Sequence, residues 1–288
     1  MKTRNSKGAQ LKWETFITKR ASLSRDTPPG NEDLKWVPNT ATLIYGEKDA
    51  VLVDTFLTIE ASTQLGEWVA SKNRKLAVIY ITHAHGDHFF GLDVLLQRFP
   101  EARVIARPEV VDAMRVHVSP ETVDGFWKRL FPGQIADRLM IAEALPNGEF
   151  ELEGQAMAAI GIGHTDTDNT TCLHVPSIGL VVSGDAAYNG VHPMLGETDA
   201  KGRLEWIAAL DKIESLKPSA VIAGHKAPGT EDQPQIVEET RKYILEFDRL
   251  SRTAADAREL YDQMLHLYPT WLNPGSLWTS AKLAKPAA

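Results

Sequence analysis

The chain has 288 residues, with 31 lysines and arginines against 38 acidic residues and a formal net charge of −7. This acidic balance disfavours a nucleic-acid-binding protein, because nothing obvious would compensate the repulsion from phosphate groups. The hydrophobic content of 43% is ordinary for a globular protein. No run approaches the roughly 18 apolar residues of a membrane span.

The first residues are basic but no apolar segment follows them, so the sequence does not predict a secretory signal. A dense basic stretch at residues 4–7 is short, and we expect it to be solvated surface.

The single cysteine, Cys172, excludes an internal disulfide and lies in a strand-like segment. We therefore expect a cytoplasmic protein in which Cys172 is a buried structural thiol rather than a nucleophile.

The first half of the chain alternates strand and helix patterns. Residues 1–36 are polar, and two β-rich runs around residues 46–50 then predict a hairpin. A helical pattern at residues 59–73 precedes a nearly continuous apolar run at residues 75–82, which predicts a strand buried on both faces. A helix, a strand and a helix opened by Pro108 follow. This order predicts a layered α/β architecture.

Residues 115–145 interrupt the pattern with an aromatic-rich helical segment containing Pro and Gly. This insert is either a lid or specificity element, or a peripheral helical pair that packs its aromatic side chains inward. Further β-rich runs, a helix stopped before Pro218 and a strand ending at His225 follow, and the C-terminal helices are predicted over residues 232–268. Both halves place histidine-bearing loops at strand ends, which indicates a pseudo-duplicated sandwich of two sheets with helices outside.

The most informative stretch is THAHGDH, which directly follows the apolar strand and contains His83, His85, Asp87 and His88. In an extended chain the first three would share a face and His88 would turn away, whereas Gly86 also allows a tight turn. Neutral imidazole and carboxylate are the ligands of catalytic Zn²⁺. The density of these residues therefore predicts a metal site.

A metal site needs further ligands, and three candidates each follow an apolar β-like run and a glycine: His164, Asp185 and His225. On its own, each has an ordinary alternative as a loop, cap or strand-end residue. Together with the THAHGDH cluster they favour a metal centre built at the ends of strands.

In this order and at these separations, THAHGDH, GHTDTDNT, SGDAAY and AGH resemble the motifs of the metallo-β-lactamase superfamily over residues 36–230. The resemblance implies an α/β (α+β) fold, a four-layer αβ/βα sandwich forming one domain over residues 1–288 with a C-terminal helical extension. It also implies two divalent metal ions and a strand-end aspartate, Asp54, that orients a ligand histidine. The implied ligands are His83, His85 and His164 for one metal, Asp87, His88 and His225 for the second, and Asp185 as the bridge.

The same resemblance narrows the chemistry. True β-lactamases usually lack the bridging aspartate, so Asp185 argues against that role. Tyr188, three residues later, is similar to the tyrosine of quorum-quenching lactonases, where a phenol would donate to the substrate; packing at the pocket wall is the alternative. The expected enzyme opens a lactone or related cyclic ester or amide with a metal-bridging hydroxide, and Asp87 takes up its proton. Zn²⁺ is expected, with iron or manganese as alternatives.

Two other activities share the ligand motif. A thioesterase similar to glyoxalase II keeps all seven ligands, although Lys226 is the only basic residue in evidence that could hold glutathione. A mononuclear-iron persulfide dioxygenase is the second alternative. Five aromatic residues either wall an apolar pocket for a small-molecule substrate or pack in the core: Phe89, Phe90, Phe126, Trp127 and Phe131. The expected partners are this substrate and, as an open alternative, a second copy in a homodimer, with no nucleic acid or membrane.

Overall fold

A computed structural model of the chain describes residues 10–286, and the basic stretch at residues 4–7 lies outside the described residues. The strands are β1 (Lys12–Ala21), β2 (Trp36–Tyr45), β3 (Asp49–Val53), β4 (Lys75–Tyr80), β5 (Arg103–Ala106), β6 (Glu143–Ala144), β7 (Glu149–Leu152), β8 (Gln155–Gly163), β9 (Thr170–Val175), β10 (Leu180–Asn189) and β11 (Ala220–Lys226). The helices are α1 (Ile59–Ser71), α2 (Gly86–Phe89), α3 (Leu92–Arg98), α4 (Pro108–His117), α5 (Pro120–Thr122), α6 (Lys128–Leu130), α7 (Ala200–Ser215), α8 (Gln235–Thr253), α9 (Ala257–Leu267) and α10 (Pro274–Ala284). A π-helical turn at Val123–Trp127 and two 3₁₀ turns at Glu32–Leu34 and Pro176–Ile178 complete the described structure.

The first sheet has the strand order β1-β2-β3-β4-β5-β6. Strands β2 and β3 are antiparallel, with Thr42 opposite Val53, which confirms the predicted hairpin. Strands β3, β4, β5 and β6 are parallel, with Val53 opposite Tyr80. The carboxyl ends of parallel strands meet at one edge of a sheet. Asp54, which follows β3, and the segment after β4 therefore lie side by side, and the Asp54 N–H donates to the Tyr80 carbonyl over 2.9 Å.

The second sheet has the order β11-β10-β9-β8-β7. Strands β7 and β8 form an antiparallel hairpin with Leu152 opposite Gln155. Its two turn residues, Glu153 and Gly154, both have positive φ, as the tightest hairpin turns require. All ten residues of β10 are buried, because this strand has neighbours on both sides and apolar residues on both faces.

Backbone contacts divide the chain into two compact units. Within the described residues, one unit contains residues 10–16, Ala41–Ile160 and Leu173–Leu180, and the other contains Ile17–Thr40, Gly161–Cys172 and residues 181–286. The first unit contains the THAHGDH segment, and the second contains His164, Asp185 and His225. The assignment of the whole chain to one domain stays a prediction.

The insert is helical at first and then irregular up to β6. Trp127 and Phe131 are buried, at 5% and 1% exposure, whereas Phe126 is 45% exposed. Two of these three aromatic side chains therefore pack inward, as the packing alternative predicts. None of the helices in the described range is long and apolar enough to cross a membrane.

Strand β1 and helix α10 are absent from the sequence prediction, as is the two-residue strand β6 in the insert. The residues of strand β1, KWETFITKRA, do not alternate regularly between apolar and polar, so the pattern that reveals a strand is missing. Helix α10 follows the predicted end of the helical region, and its start signal is present in the sequence. The Asn273 side chain accepts from the Ser276 N–H, and Pro274 occupies the first helical position.

Candidate metal centre

The THAHGDH segment turns sharply where strand β4 ends. Helix α2 begins at Gly86, and the His88 N–H donates to the His85 carbonyl over 2.9 Å. The turn brings His88 back beside His83, with ring centroids 4.1 Å apart, so the turn and not the extended conformation is observed. A Cβ on Gly86 would lie 2.9 Å from the buried Phe90 ring, which is why a glycine suits this position.

Asp54 orients two of the predicted ligand histidines. Its Oδ1 accepts from the Thr82 N–H and its Oδ2 from the Thr82 hydroxyl, each over 2.8 Å. The Nδ1 of His88 lies 3.0 Å from the same Oδ2, and a carboxylate only accepts, so this nitrogen carries the proton. The proton of the Thr82 hydroxyl is already donated, so the hydroxyl accepts from Nδ1 of His83 at 3.0 Å. Both rings therefore present Nε2 as the ligand atom.

The predicted ligand residues of the THAHGDH segment lie close to one another and to Asp54. Ligand-capable atoms of Asp54, His83 and His88 lie within 4.8 Å of one another, and all three residues are buried. His85 lies edge-on to His83 at 5.0 Å, and Asp87 is 5% exposed. Buried imidazole and carboxylate groups at this density fit a divalent metal ion, because a cation compensates their loss of solvation. The oxygens of Asp54 already bind Thr82 and His88, so we assign Asp54 an orienting role.

In the second unit, Asp185 of β10 and His225 of β11 form a buried pair. The Nδ1 of His225 lies 2.6 Å from the Pro38 carbonyl oxygen, which can only accept, so Nδ1 carries a proton. Its Nε2 lies 2.9 Å from Oδ2 of Asp185. A nitrogen lone pair and a carboxylate oxygen at this distance need a proton or a cation between them. The pair therefore also fits a metal ion.

His164 has the same arrangement on a loop. Its Nδ1 lies 2.7 Å from Oδ1 of Asp168. Its Nε2 is buried and has no hydrogen-bond partner among the described residues. This nitrogen faces Gly202 of α7, and a Cβ added to Gly202 would lie 2.7 Å from it. A buried nitrogen whose ring partner is held by a carboxylate is typical of a metal ligand.

Tyr188 contacts both members of the Asp185–His225 pair. Its hydroxyl donates to Oδ2 of Asp185 over 3.0 Å, and its ring stacks on His225 with centroids 5.6 Å apart and planes 21° apart. Burial raises the pKa of Tyr188 well above its ordinary value, and the negative charges of Asp185 and Asp166 raise that pKa further. The phenol therefore stays protonated and acts as a donor.

Three residues without a predicted role lie in these clusters. Thr82 binds Asp54, and the ring of His117 lies 5.8 Å from that of His85. Asp166 is 1% exposed and accepts from the Thr165 hydroxyl over 2.8 Å. Only Asp166 had a signal in the sequence, since it lies two residues after a predicted ligand in GHTDTDNT.

Four further residues discussed for other roles are buried: Lys226, Cys172, Phe89 and Phe90. Lys226 is 4% exposed and forms an ion pair with Asp232, so its ammonium group is already neutralised. Cys172 is fully buried, and burial raises the pKa of its thiol to about 12, as the structural interpretation predicts. Phe89 and Phe90 are both 0% exposed and pack in the core.

Comparison with known proteins identifies the family. The sequence model of the metallo-beta-lactamase superfamily matches residues 34–225, and the chain belongs to this superfamily. Its members are metal-dependent hydrolases, which supports the same enzyme class for this chain.

Two kinds of curated relatives are similar in sequence. The uncharacterized protein YobT of Bacillus subtilis (strain 168) is 38% identical over 212 residues, covering 66% of this chain and 80% of that protein. A hydroxyacylglutathione hydrolase of Francisella tularensis subsp. novicida (strain U112) is 35% identical over 71 residues, covering 25% of this chain. The chain spans only about a quarter of the length of that hydrolase, 27%.

Solved structures confirm the predicted fold class. A metallo-beta-lactamase family protein from Thermus thermophilus has a TM-score of 0.62 at 22% identity, covering 94% of this chain and 92% of that chain. A metallo-beta-lactamase from Pontibacter korlensis has a TM-score of 0.58 at 16% identity, covering 82% of this chain and 99% of that chain. The chain therefore has the metallo-β-lactamase fold.

Proposed function

We propose that the protein is a dinuclear metal-dependent hydrolase that opens a lactone, or a related cyclic ester or amide, of a small molecule. One observation carries this proposal: four predicted ligand histidines each have Nδ1 engaged by a carboxylate, a hydroxyl or a carbonyl, which leaves Nε2 as the ligand atom. These histidines are His83, His88, His164 and His225.

The proposed ligand set is the one that the family resemblance implies. One metal is assigned to His83, His85 and His164, the second to Asp87, His88 and His225, and Asp185 is assigned as the bridge. Zn²⁺ suits these nitrogen and oxygen donors, and iron or manganese also accept them.

When bound, the metal ions supply a water of lowered pKa and a Lewis acid for the substrate carbonyl. In this proposal the carboxylate of Asp87 accepts the proton of the attacking water. Asp54 and Thr82 hold the rings of His83 and His88, so these side chains need little reorganisation when substrate binds. The products are a carboxylate and the alcohol or amine released by ring opening.

Elemental analysis of the purified protein, combined with a hydrolysis panel of lactones, lactams and thioesters, tests the proposal. We expect two equivalents of metal per chain and turnover of at least one lactone. Turnover of thioesters alone would contradict the lactone assignment while leaving the metal centre intact. Iron as the sole metal with oxygen consumption would instead indicate a persulfide dioxygenase.

A thioesterase is the second candidate, because part of the chain is similar to hydroxyacylglutathione hydrolases. The ion pair between Lys226 and Asp232 weighs against a glutathione site that uses this lysine. Comparing an acyl-glutathione with a lactone of the same acyl group separates the two candidates. The ratio of kcat/KM for the two substrates reports directly on which leaving group the enzyme favours.

A further inference from the structure

We propose that Tyr188 is a positioning residue that holds Asp185 and His225 in the geometry required for metal binding, and that it does not contact the substrate. The inference rests on the proposed function, in which Asp185 and His225 are metal ligands. It replaces the role of substrate donor that the resemblance to lactonases implies.

One side chain contacts both ligands. The phenol donates to Oδ2 of Asp185 over 3.0 Å, and the Nε2 of His225 lies 2.9 Å from the same oxygen. The aromatic ring of Tyr188 covers the face of the imidazole, with planes only 21° apart. A single residue thus restricts the rotation of the carboxylate and of the imidazole together.

Tyr188 is itself held rigidly. It is 2% exposed, its backbone N–H donates to the Thr240 hydroxyl over 3.0 Å, and the Trp206 ring lies 6.3 Å away. The Trp206 indole N–H donates to the carbonyl of Ala186 over 2.8 Å, which anchors strand β10 two residues before Tyr188. Because the side chain sits in this packed environment, its position is set by the fold and not by a bound substrate.

The phenol has only one proton to donate, and Asp185 receives it. A donor at Oδ2 fixes the plane of the carboxylate, which decides where Oδ1 points. Residues that fix the orientation of metal ligands in this way commonly change metal affinity about 10–100-fold when they are altered. The contact therefore supports a role in metal binding, and burial of the hydroxyl disfavours a role in substrate binding.

The test uses Zn²⁺ titration of the metal-free full-length protein against a competing chelator, alongside steady-state kinetics. Tyr188→Phe keeps the ring and removes the hydroxyl, and we expect it to weaken Zn²⁺ binding about 10–100-fold. At saturating Zn²⁺ its kcat should recover towards the wild-type value with KM unchanged.

Tyr243→Phe is the matched control, because Tyr243 is also fully buried. Among the described residues its hydroxyl contacts Nδ1 of His192 at 2.9 Å, and His192 is outside the proposed ligand set. This variant should bind Zn²⁺ as the wild type does. Circular dichroism checks that each variant is folded. Wild-type Zn²⁺ affinity in Tyr188→Phe would overturn the inference, as would a raised KM with Zn²⁺ affinity unchanged.

A double-mutant cycle gives a second test that does not depend on one variant. If Tyr188 acts through Asp185, removing the hydroxyl in an Asp185→Ala background should cause no further loss of Zn²⁺ affinity. Full additivity of the two substitutions would overturn the inference. Failure of the wild type to bind Zn²⁺ would count against the proposed metal centre itself, and this result is separate from the behaviour of Tyr188.

Discussion

The Nδ1 of His88 donates to Oδ2 of Asp54 over 3.0 Å in a pair that is almost completely buried. Asp54 has a φ of 62°, in the left-handed region that residues other than glycine seldom adopt. Such a conformation persists where the surrounding structure supports it, and here Thr82 holds both carboxylate oxygens. The orientation of His88 therefore depends on the end of strand β3 as well as on its own turn.

Asp54→Asn should weaken metal binding about 10–100-fold, because the amide replaces one acceptor oxygen with a donor beside Thr82 and His88. Metal content after dialysis against a chelator measures the effect. Asp112→Asn is the matched control, since Asp112 is exposed on helix α4 and pairs only with Arg115 among its described ion pairs. Equal metal retention by Asp54→Asn and the wild type would contradict the orienting role.

His85→Ala and Asp87→Ala should each abolish hydrolysis and lower the metal content, because each substitution removes a proposed ligand. The measurements are turnover of the best substrate of the panel and elemental analysis of the same samples. His266→Ala removes an exposed imidazole from helix α9 and should change neither quantity. Full turnover in either ligand variant would show that the ligand assignment is wrong.

Gly202→Ala should displace the His164 imidazole, because the new Cβ would lie 2.7 Å from its Nε2. We expect loss of metal affinity without unfolding, measured by Zn²⁺ titration and a thermal melt. Gly125→Ala is the control, since a Cβ at Gly125 meets nothing within 4 Å. If both variants bind Zn²⁺ equally well, His164 is not a ligand in its observed position.

His192 should make the stability of the protein depend on pH. Burial lowers its pKa to about 3, whereas an imidazole in the unfolded chain has a pKa of about 6.5. Between these values the unfolded state binds a proton that the folded state does not, so the free energy of unfolding falls as pH falls. This contribution is fully present above the unfolded pKa and is lost progressively towards the folded one.

Urea unfolding of the wild type and of His192→Gln, at about pH 7 and about pH 5.5, measures this contribution. The wild type should lose about 1 kcal/mol more than the variant over this interval. The comparison of the two losses cancels the contributions of the other histidines. Identical losses in the two proteins would show that His192 does not stay neutral in the folded state.

The elements around the candidate site could be predicted because their signals are local. The apolar run of β4 and the THAHGDH motif occupy consecutive positions, and Pro108 opens α4 as its sequence context indicates. The role of Tyr188 could not be predicted in the same way. Its contacts with Asp185 and His225 depend on the placement of β10 and β11 in one sheet, and a spacing pattern does not specify which atom the phenol meets.

The residues that orient the ligands were largely hidden from the sequence for the same reason. Thr82 is the first residue of the motif, but a threonine there has no distinctive pattern. The Pro38 carbonyl that accepts from His225 lies 187 residues before it in the sequence, and no local pattern connects the two. Asp54 was identified only through the family resemblance. Short motifs thus predict candidate metal ligands, whereas the hydrogen bonds that would orient them follow from tertiary structure.

Gly202 has a consequence for attempts to make this protein more heat-resistant. Replacing a glycine inside a helix by alanine usually stabilises the folded state by about 0.5–1 kcal/mol, so position 202 near the start of α7 is an attractive target for engineering. In this chain the absence of a side chain at Gly202 leaves room for the imidazole of His164. Helix α7 therefore keeps a residue that is poor for helix stability, and variant libraries aimed at thermal stability should leave it unchanged.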